Sequence, residues 1–407
     1  MPDKPILVHK YGGSSLADID KIRKVAKHVV AQADKGYRMV VVVSAMGKTT
    51  DVLLKMAQEI APEPERRELD MLLTVGERIS MALLSMAIQR MGHKARSFTG
   101  SQVGIITTDS HSNARIIEVR PFRIQDELER DRIVIVAGYQ GTSYKREITT
   151  LGRGGSDTTA IALAAALEAE RVEIYSDVDG IYSADPRIVP GAHRLEEVGL
   201  DEMMMLSKTG ARVMAADSME YARKKDIAIF AKSSVNLDAP GTVIRRNPSC
   251  DDRRFSGVAG NKNVIYVQFS QAADVAHSAD LFDCLNEVGS LELMPFMSHV
   301  SLSGNAGATF LYSGENFHNL GSFRKTIQEK FGQNVDIRDD IGTVTLVGAG
   351  IAEDPETHRR ITAFLDEHRH LIRQVFFLPL AVTMLVAVTD VDHLVRDTHE
   401  LFLAKTP

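Results

Sequence analysis

Cysteine is scarce in this chain: 407 residues hold only Cys250 and Cys284. Neither has the spacing of a metal ligand, which excludes a thiolate metal site. Two cysteines so placed fit a reducing compartment as buried or incidental thiols. No block of lysine and arginine occurs, and the formal charge is −6, which argues against a nucleic-acid surface. No apolar run reaches the ~20 residues of a membrane span. Met-Pro-Asp-Lys leads at once into a strand-like run and reads as no signal peptide, so a cytoplasmic protein with no membrane partner is expected. Low-complexity segments are absent. What remains is an ordinary globular composition, 44% hydrophobic and 25% charged. The length suggests two or three domains, each able to bury a core.

Apolar periodicity organises the first half. Ile6–His9 is a short β run, and Ile19, Ile22, Val25, Ala26, Val29 and Val30 follow at helical spacing. Met39–Val43 and Ile133–Ala137 are continuous apolar runs, the mark of strands buried on both faces. Further strands are expected at Gly104–Thr108, Val172–Tyr175 and Ile227–Ala231. Helices are expected at Leu69–Met91, Val119–Arg130, Asp201–Leu206 and Arg212–Lys224. Strand, glycine or hydroxyl loop, helix: the repeat signals a parallel α/β sheet, whose ligands sit at the carboxyl ends of the strands. The texture changes at Arg245–Ser256, where Pro248, Ser249, Asp251 and Asp252 make a linker. Two βαββαβ units follow, with helices at Ala279–Val288, Phe323–Phe331, His358–His368 and Val391–Leu401, a pattern well suited to β pairing in dimers.

The chemistry centres on Leu151-Gly152-Arg153-Gly154-Gly155-Ser156-Asp157-Thr158-Thr159. Its glycines let backbone approach a bulky group. Arg153 offers a planar fork for carboxylate or phosphate. Ser156 to Thr159 can cap the small-apolar helix that follows, whose free N–H groups favour an anion. The plainer reading is a glycine-rich turn with a solvated arginine. Lys10 beside Gly12 and Gly13 can neutralise a phosphate while backbone N–H groups cradle it. Gly47-Lys48-Thr49 is not a Walker loop, because position 42, where that motif needs glycine, is Val42. Ser44 and Thr50 suit a small polar substrate, or cap the next helix. Glu77, within a helix, reads as a surface carboxylate paired with its neighbour Arg78. Asp177, Asp179 and Asp185 lack the closing glutamate of an EF-hand. With Tyr182 and Arg187 they suit a nucleotide better.

Taken in order, Lys10 to Ser15, Ser44 to Gly47, Thr49 to Asp51, Gly76 to Ile79, Gly152 to Thr158 and Asp177 to Arg187 resemble the aspartate kinase family over roughly the first 245 residues. The resemblance implies an α/β fold: a three-layer, parallel-sheet amino-acid-kinase domain over 1–245, a linker over 246–256, and tandem ACT-like regulatory domains over 257–407. It implies transfer of the ATP γ-phosphate to the side-chain carboxylate of L-aspartate, with Mg²⁺ on the phosphates and no protein-held metal. It makes Lys10, Arg153 and Asp157 catalytic. Ser44, Thr50, Glu77, Arg153, Gly154, Gly155 and Ser156 would line the aspartate pocket. Lys10, Tyr11, Gly12, Gly13, Ser176, Asp177, Tyr182, Asp185, Arg187, Lys232 and Ser233 would hold the nucleotide. A homodimer through the ACT-like domains is expected.

The tail departs from the family pattern. Ser270-Gln271-Ala272-Ala273-Asp274 stands where an Asp-Lys-Pro-Gly-like turn is usual, and Met294 and Ser298 occupy the effector's acid and amide positions. Val347-Gly348-Ala349-Gly350 is kept, but Phe376-Phe377-Leu378-Pro379 replaces a hydroxyl-rich run. Apolar replacements leave an effector's ammonium unpaired, at about 1–3 kcal/mol or more. Altered or lost lysine and threonine feedback is therefore expected. Two alternatives stay open: another carboxylate kinase of this fold acting on an aspartate analogue, and a non-catalytic ACT sensor.

Overall fold

A computed structural model describes residues 4–152, 154–211, 214, 216–237, 239–249, 254–269, 292–293, 299–300, 308–314, 320–332, 335–351 and 354–404. Arg153, both cysteines, the 270–274 turn, the helix expected over 279–288, Met294 and Ser298 lie outside them. The chain forms two compact units. The first comprises 1–181, 194–204 and 213–249; the second comprises 182–193, 205–212 and 250–407.

The first unit is built on an eight-stranded sheet. Its strands are β1 (Ile6–Tyr11), β2 (Arg38–Val43), β3 (Ala95–Phe98), β6 (Ile133–Ala137), β9 (Arg171–Ser176), β10 (Glu197–Gly199), β11 (Ile229–Ser233) and β12 (Thr242–Arg245). Their order is β10-β12-β11-β9-β1-β2-β6-β3. Every pair is parallel except β11 with β12. A smaller sheet, β5-β4-β7-β8, holds β4 (Ile105–Thr107), β5 (Ile116–Val119), β7 (Gln140–Ser143) and β8 (Ile148–Thr150).

Helices cover both faces of the large sheet, which is why its central strands are continuous valine and isoleucine. On one face, α1 (Ile19–Asp34) buries Ile22, Val25, Ala26, Val29 and Val30 and packs beside α4 (Val75–Arg90). Asp18 starts α1 by accepting Lys21 N at 2.8 Å. On the other face lies α6 (Gly155–Ala166), buried from Gly155 to Ala165 between β1 and α8 (Ala216–Lys225). Its small side chains are the consequence: a helix packed on both sides at close range has no room for larger ones.

Several expected boundaries move. The first strand runs on through Lys10 and Tyr11, so Lys10 projects from a sheet face one residue before the strand ends. The long helix expected at Leu69–Met91 breaks into α3 (Arg66–Leu73) and α4 at Thr74. There Thr74 Oγ1 donates to Met71 O (3.1 Å), and the Thr74 carbonyl accepts from Gln140 Nε2 (3.2 Å). By length and apolarity Arg66–Arg90 could cross a membrane, contrary to expectation, but it carries buried Asp70 and Glu77 into the first unit. The helix expected from Val119 begins only at Phe122, after Pro121, and β5 precedes it. α2 (Thr49–Ile60) and α5 (Phe122–Glu129) follow their loops, and α7 (Leu200–Thr209) spans the division between units.

The second unit holds β13 (Gly257–Asn261), β14 (Val264–Phe269), β15 (Glu292–Leu293), β16 (His299–Val300), β17 (Ala308–Ser313), β18 (Val335–Arg338), β19 (Ile341–Val347), β20 (Ile372–Leu378) and β21 (Ala381–Ala387). They make two antiparallel sheets, one of β15, β17, β14 and β18 with β16 against β17, the other β13-β19-β21-β20. β13 therefore joins the sheet made by the last strands instead of its sequence neighbour. The sheets share a core of Val264, Tyr266, Leu311, Ile341 and Leu385. Helices Leu320–Phe331, Pro355–Glu367 and Val391–Phe402 lie close to the expected positions.

Candidate active site

Loops at the carboxyl ends of β1, β2 and β6 meet the first turn of α6, where a parallel sheet places its ligands. Gly13 O accepts from Gly47 N at 2.9 Å, and a Cβ on Gly13 would lie 2.8 Å from Ala45 O. Only glycine lets these two loops come so close. Gly138, next after β6, would put a Cβ 2.7 Å from Ser156 Oγ. Ser44 N donates to Tyr11 O (3.1 Å), and Gly12 N to Tyr175 O (3.1 Å).

Across this junction Lys10 Nζ and Asp157 Oδ1 pair at 2.6 Å, their side chains 11% and 10% exposed. Gly12 leaves bare backbone beside the ammonium: a Cβ there would lie 3.6 Å from Lys10 Nζ. The expectation that Ser156 to Thr159 cap the helix is not met, because Gly154, at φ +73°, occupies the N-cap position. Asp157 is free for Lys10, while Thr158 and Thr159 hydroxyls donate to the carbonyls of Gly154 and Gly155 (3.4 and 2.8 Å). Nor do Ser44 and Thr50 cap α2, whose N-cap position is Lys48 with no side-chain cap. Both are half-buried.

Glu77 is 3% exposed on α4. Its Oε1 accepts from Ala45 N at 3.1 Å. Its Oε2 is buried without a hydrogen-bond partner among the described residues, and no pair with Arg78 forms there. Burial pushes this carboxyl up to about 7, against the hydrogen bond from Ala45.

On the opposite face of the sheet from Lys10, a second polar cluster went unnoticed in the sequence. Glu173 takes Tyr175 Oη (2.6 Å), Arg171 Nε (2.7 Å) and Lys232 Nζ (3.3 Å), and lies 3.4 Å from His9 Nε2. Burial opposes ionisation of Glu173, but this ring of donors and cations outweighs it and holds the carboxyl down at about 2. Lys232 is thus engaged below the strand ends. Ser233 Oγ accepts from the backbone of Val235 and Asn236 (both 3.2 Å). Tyr11 stacks on Tyr175, ring centroids 4.9 Å apart. Ser176 ends β9, Asp177 is exposed just after it, and Ser176 Oγ contacts the backbone of Val178. Tyr182, Asp185 and Arg187 belong to the second unit, where Arg187 pairs with Asp185 at 2.6 Å.

A third cluster, also missed, centres on Asp70 of α3, fully buried and bonded to Thr150, Ser112 and His111. Its one sequence signal is that Asp70 stands seven residues before Glu77, two helical turns along one face. Among the described residues no three His, Cys, Asp or Glu side chains gather as a cation site.

A sequence profile described as the amino acid kinase family matches residues 5–232. An aspartokinase of Mycolicibacterium smegmatis is 41% identical over 405 residues, covering 98% of this chain and 96% of that protein. One from Mycobacterium tuberculosis H37Rv is 42% identical over the same shares. Among solved structures, E. coli aspartokinase III in complex with aspartate and ADP (R-state) superposes with a TM-score of 0.83 at 23% identity, over 97% of this chain and 99% of that one.

Proposed function

The chain belongs to the amino acid kinase family and, within it, to the aspartokinases, and from this premise we propose how its residues carry the reaction. The reaction is transfer of the γ-phosphate of ATP to the side-chain carboxylate of L-aspartate, giving 4-phospho-L-aspartate and ADP. The acceptor is already a nucleophile at neutral pH, so no general base is needed. The protein's task is to position two anions and offset their repulsion.

The Lys10–Asp157 pair carries this reading. Lys10 is assigned to the transferring phosphoryl oxygens, with Gly12 and Gly13 giving them room. Asp157 holds the ammonium at the head of α6. Glu77, with its unanswered Oε2, is assigned to the α-ammonium of aspartate. Ser44, Thr50, Ser156 and the backbone of Gly154 and Gly155 line the same pocket. Arg153 is assigned, from its motif alone, to a substrate carboxylate. The nucleotide is placed at the ends of β9 and β11, by Ser176, Asp177 and Ser233, with Lys232 set by Glu173. Mg²⁺ is assigned to the phosphates, whose charge it neutralises when bound.

The enzyme is read as cytoplasmic. A homodimer through the second unit suits β20, an edge strand of seven residues with one side unpaired among the described residues. The test is release of ADP from ATP and Mg²⁺ that depends on L-aspartate and not on L-glutamate. ADP release independent of the amino acid would overturn the assignment.

A further inference from the structure

Asp70 touches none of the residues assigned to substrate, yet its carboxylate gathers two segments of the first unit. Thr150 Oγ1 donates to Oδ1 at 2.6 Å. Ser112 N donates to both oxygens, at 3.0 and 3.1 Å. His111 Nδ1 lies 2.8 Å from Oδ2. A carboxyl group with no exposure is costly unless its lone pairs are met. Met this fully, it fixes the segments that supply the donors: the 111–112 turn and the end of β8.

Both segments border the glycine-rich run. Thr150 is followed by Leu151 and Gly152. Its carbonyl accepts from Ala114 N (2.8 Å), and Leu151 N donates to Tyr139 O (2.9 Å). Ser112 is held at φ +67°, a left-handed conformation that non-glycine residues seldom adopt. A Cβ on Gly152, itself at φ +74°, would lie 2.7 Å from the side-chain oxygen of Asn113. The 111–113 turn is thus the floor on which Gly152 rests. Tyr139 closes the circuit: its ring lies 3.0 Å from where a Cβ on Gly155 would stand, and its N–H donates to Thr159 Oγ1 at 3.2 Å.

We propose that Asp70 is a positioning residue for the phosphoryl acceptor, holding residues 111–113 and 150–152 so that the glycine-rich run presents its backbone to aspartate. The inference rests on the aspartate kinase reading of the site. It confines the effect to one substrate, because β8 belongs to the small sheet, whereas Ser176 and Ser233 end strands of the large one.

Steady-state kinetics of Thr150→Val and Asp70→Asn test it, with thermal denaturation of both. Valine keeps the shape of threonine and removes the hydroxyl that Asp70 binds. It raises KM for aspartate about tenfold, while KM for ATP stays within about twofold, since a small misplacement of a substrate group is enough to lose that much. Asparagine keeps an oxygen for Thr150 and Ser112, and Asp70→Asn retains most of the affinity for aspartate. Unmoved KM values in a Thr150→Val protein of lower Tm, or a parallel rise in both KM values, would make Asp70 merely structural and overturn the proposal. Failure of the wild type to release ADP in response to aspartate would overturn the aspartate kinase reading, and this inference with it.

Discussion

Lys10 and Asp157 put opposite charges 2.6 Å apart where water scarcely reaches, and the two make different demands. Asp157 is proposed to hold the lysine, and Lys10 to meet the phosphoryl group. Lys10→Ala is therefore expected to lower kcat by ~10²-fold or more, the scale of losing one aimed cationic donor. Aspartate should still bind, as calorimetry would show. Glu77 gives the site a pH dependence. Its folded-state carboxyl sits at about 7 instead of 4.5, so the native protein favours the protonated form. The stability this group contributes is present below pH ~4.5 and is lost as pH rises through about 7, on the order of 3 kcal/mol over that window. Binding runs the other way, because an ammonium needs the carboxylate. KM for aspartate should fall between pH 6 and 8, and Glu77→Gln should raise it and flatten the profile. An unchanged profile in that variant would remove Glu77 from the pocket.

At the scale of elements, the sensitive joint is between β6 and α6. Gly138→Ala would drive a methyl group into Ser156, with Cβ and Cα of that residue at 2.8 and 3.0 Å as well as Oγ. The first turn of α6, and Asp157 with it, must move. Overpacking of this kind costs about 1–3 kcal/mol, and kcat should drop more than Tm implies. Elements of this kind are legible in the sequence where burial is total. Met39–Val43 and Ile133–Ala137 read as strands because both faces are apolar. Ala95–Phe98, with Arg96 and Ser97 at its centre, offers no such run and is found only through its pairing with β6. The break at Thr74 is equally hidden, since it depends on Gln140, far along the chain. Lys10, Glu77 and Asp157 become legible as candidates for one site only through their motifs. Asp70 and Glu173 have no motif, and their partners are assembled by the fold.

At the scale of the whole molecule, the amino acid kinase match falls on residues 5–232, and regulation is expected of the second unit. The strand that ends in Phe376-Phe377-Leu378 is present as β20, with Phe377 half-exposed and stacked on His358 at 5.4 Å. The apolar side chains there are expected to offer an amino-acid effector no side-chain partner for its ammonium. Lysine and threonine, alone or together, are therefore expected to leave the rate within about twofold, since the lost contacts are those that would couple effector to state. The most direct measurement is an aspartate hydroxamate assay with ATP and Mg²⁺, run with and without both amino acids. The account predicts hydroxamate formation that requires aspartate and ignores lysine plus threonine. Formation of no hydroxamate from aspartate would contradict it at its centre, and strong inhibition would contradict the reading of the second unit.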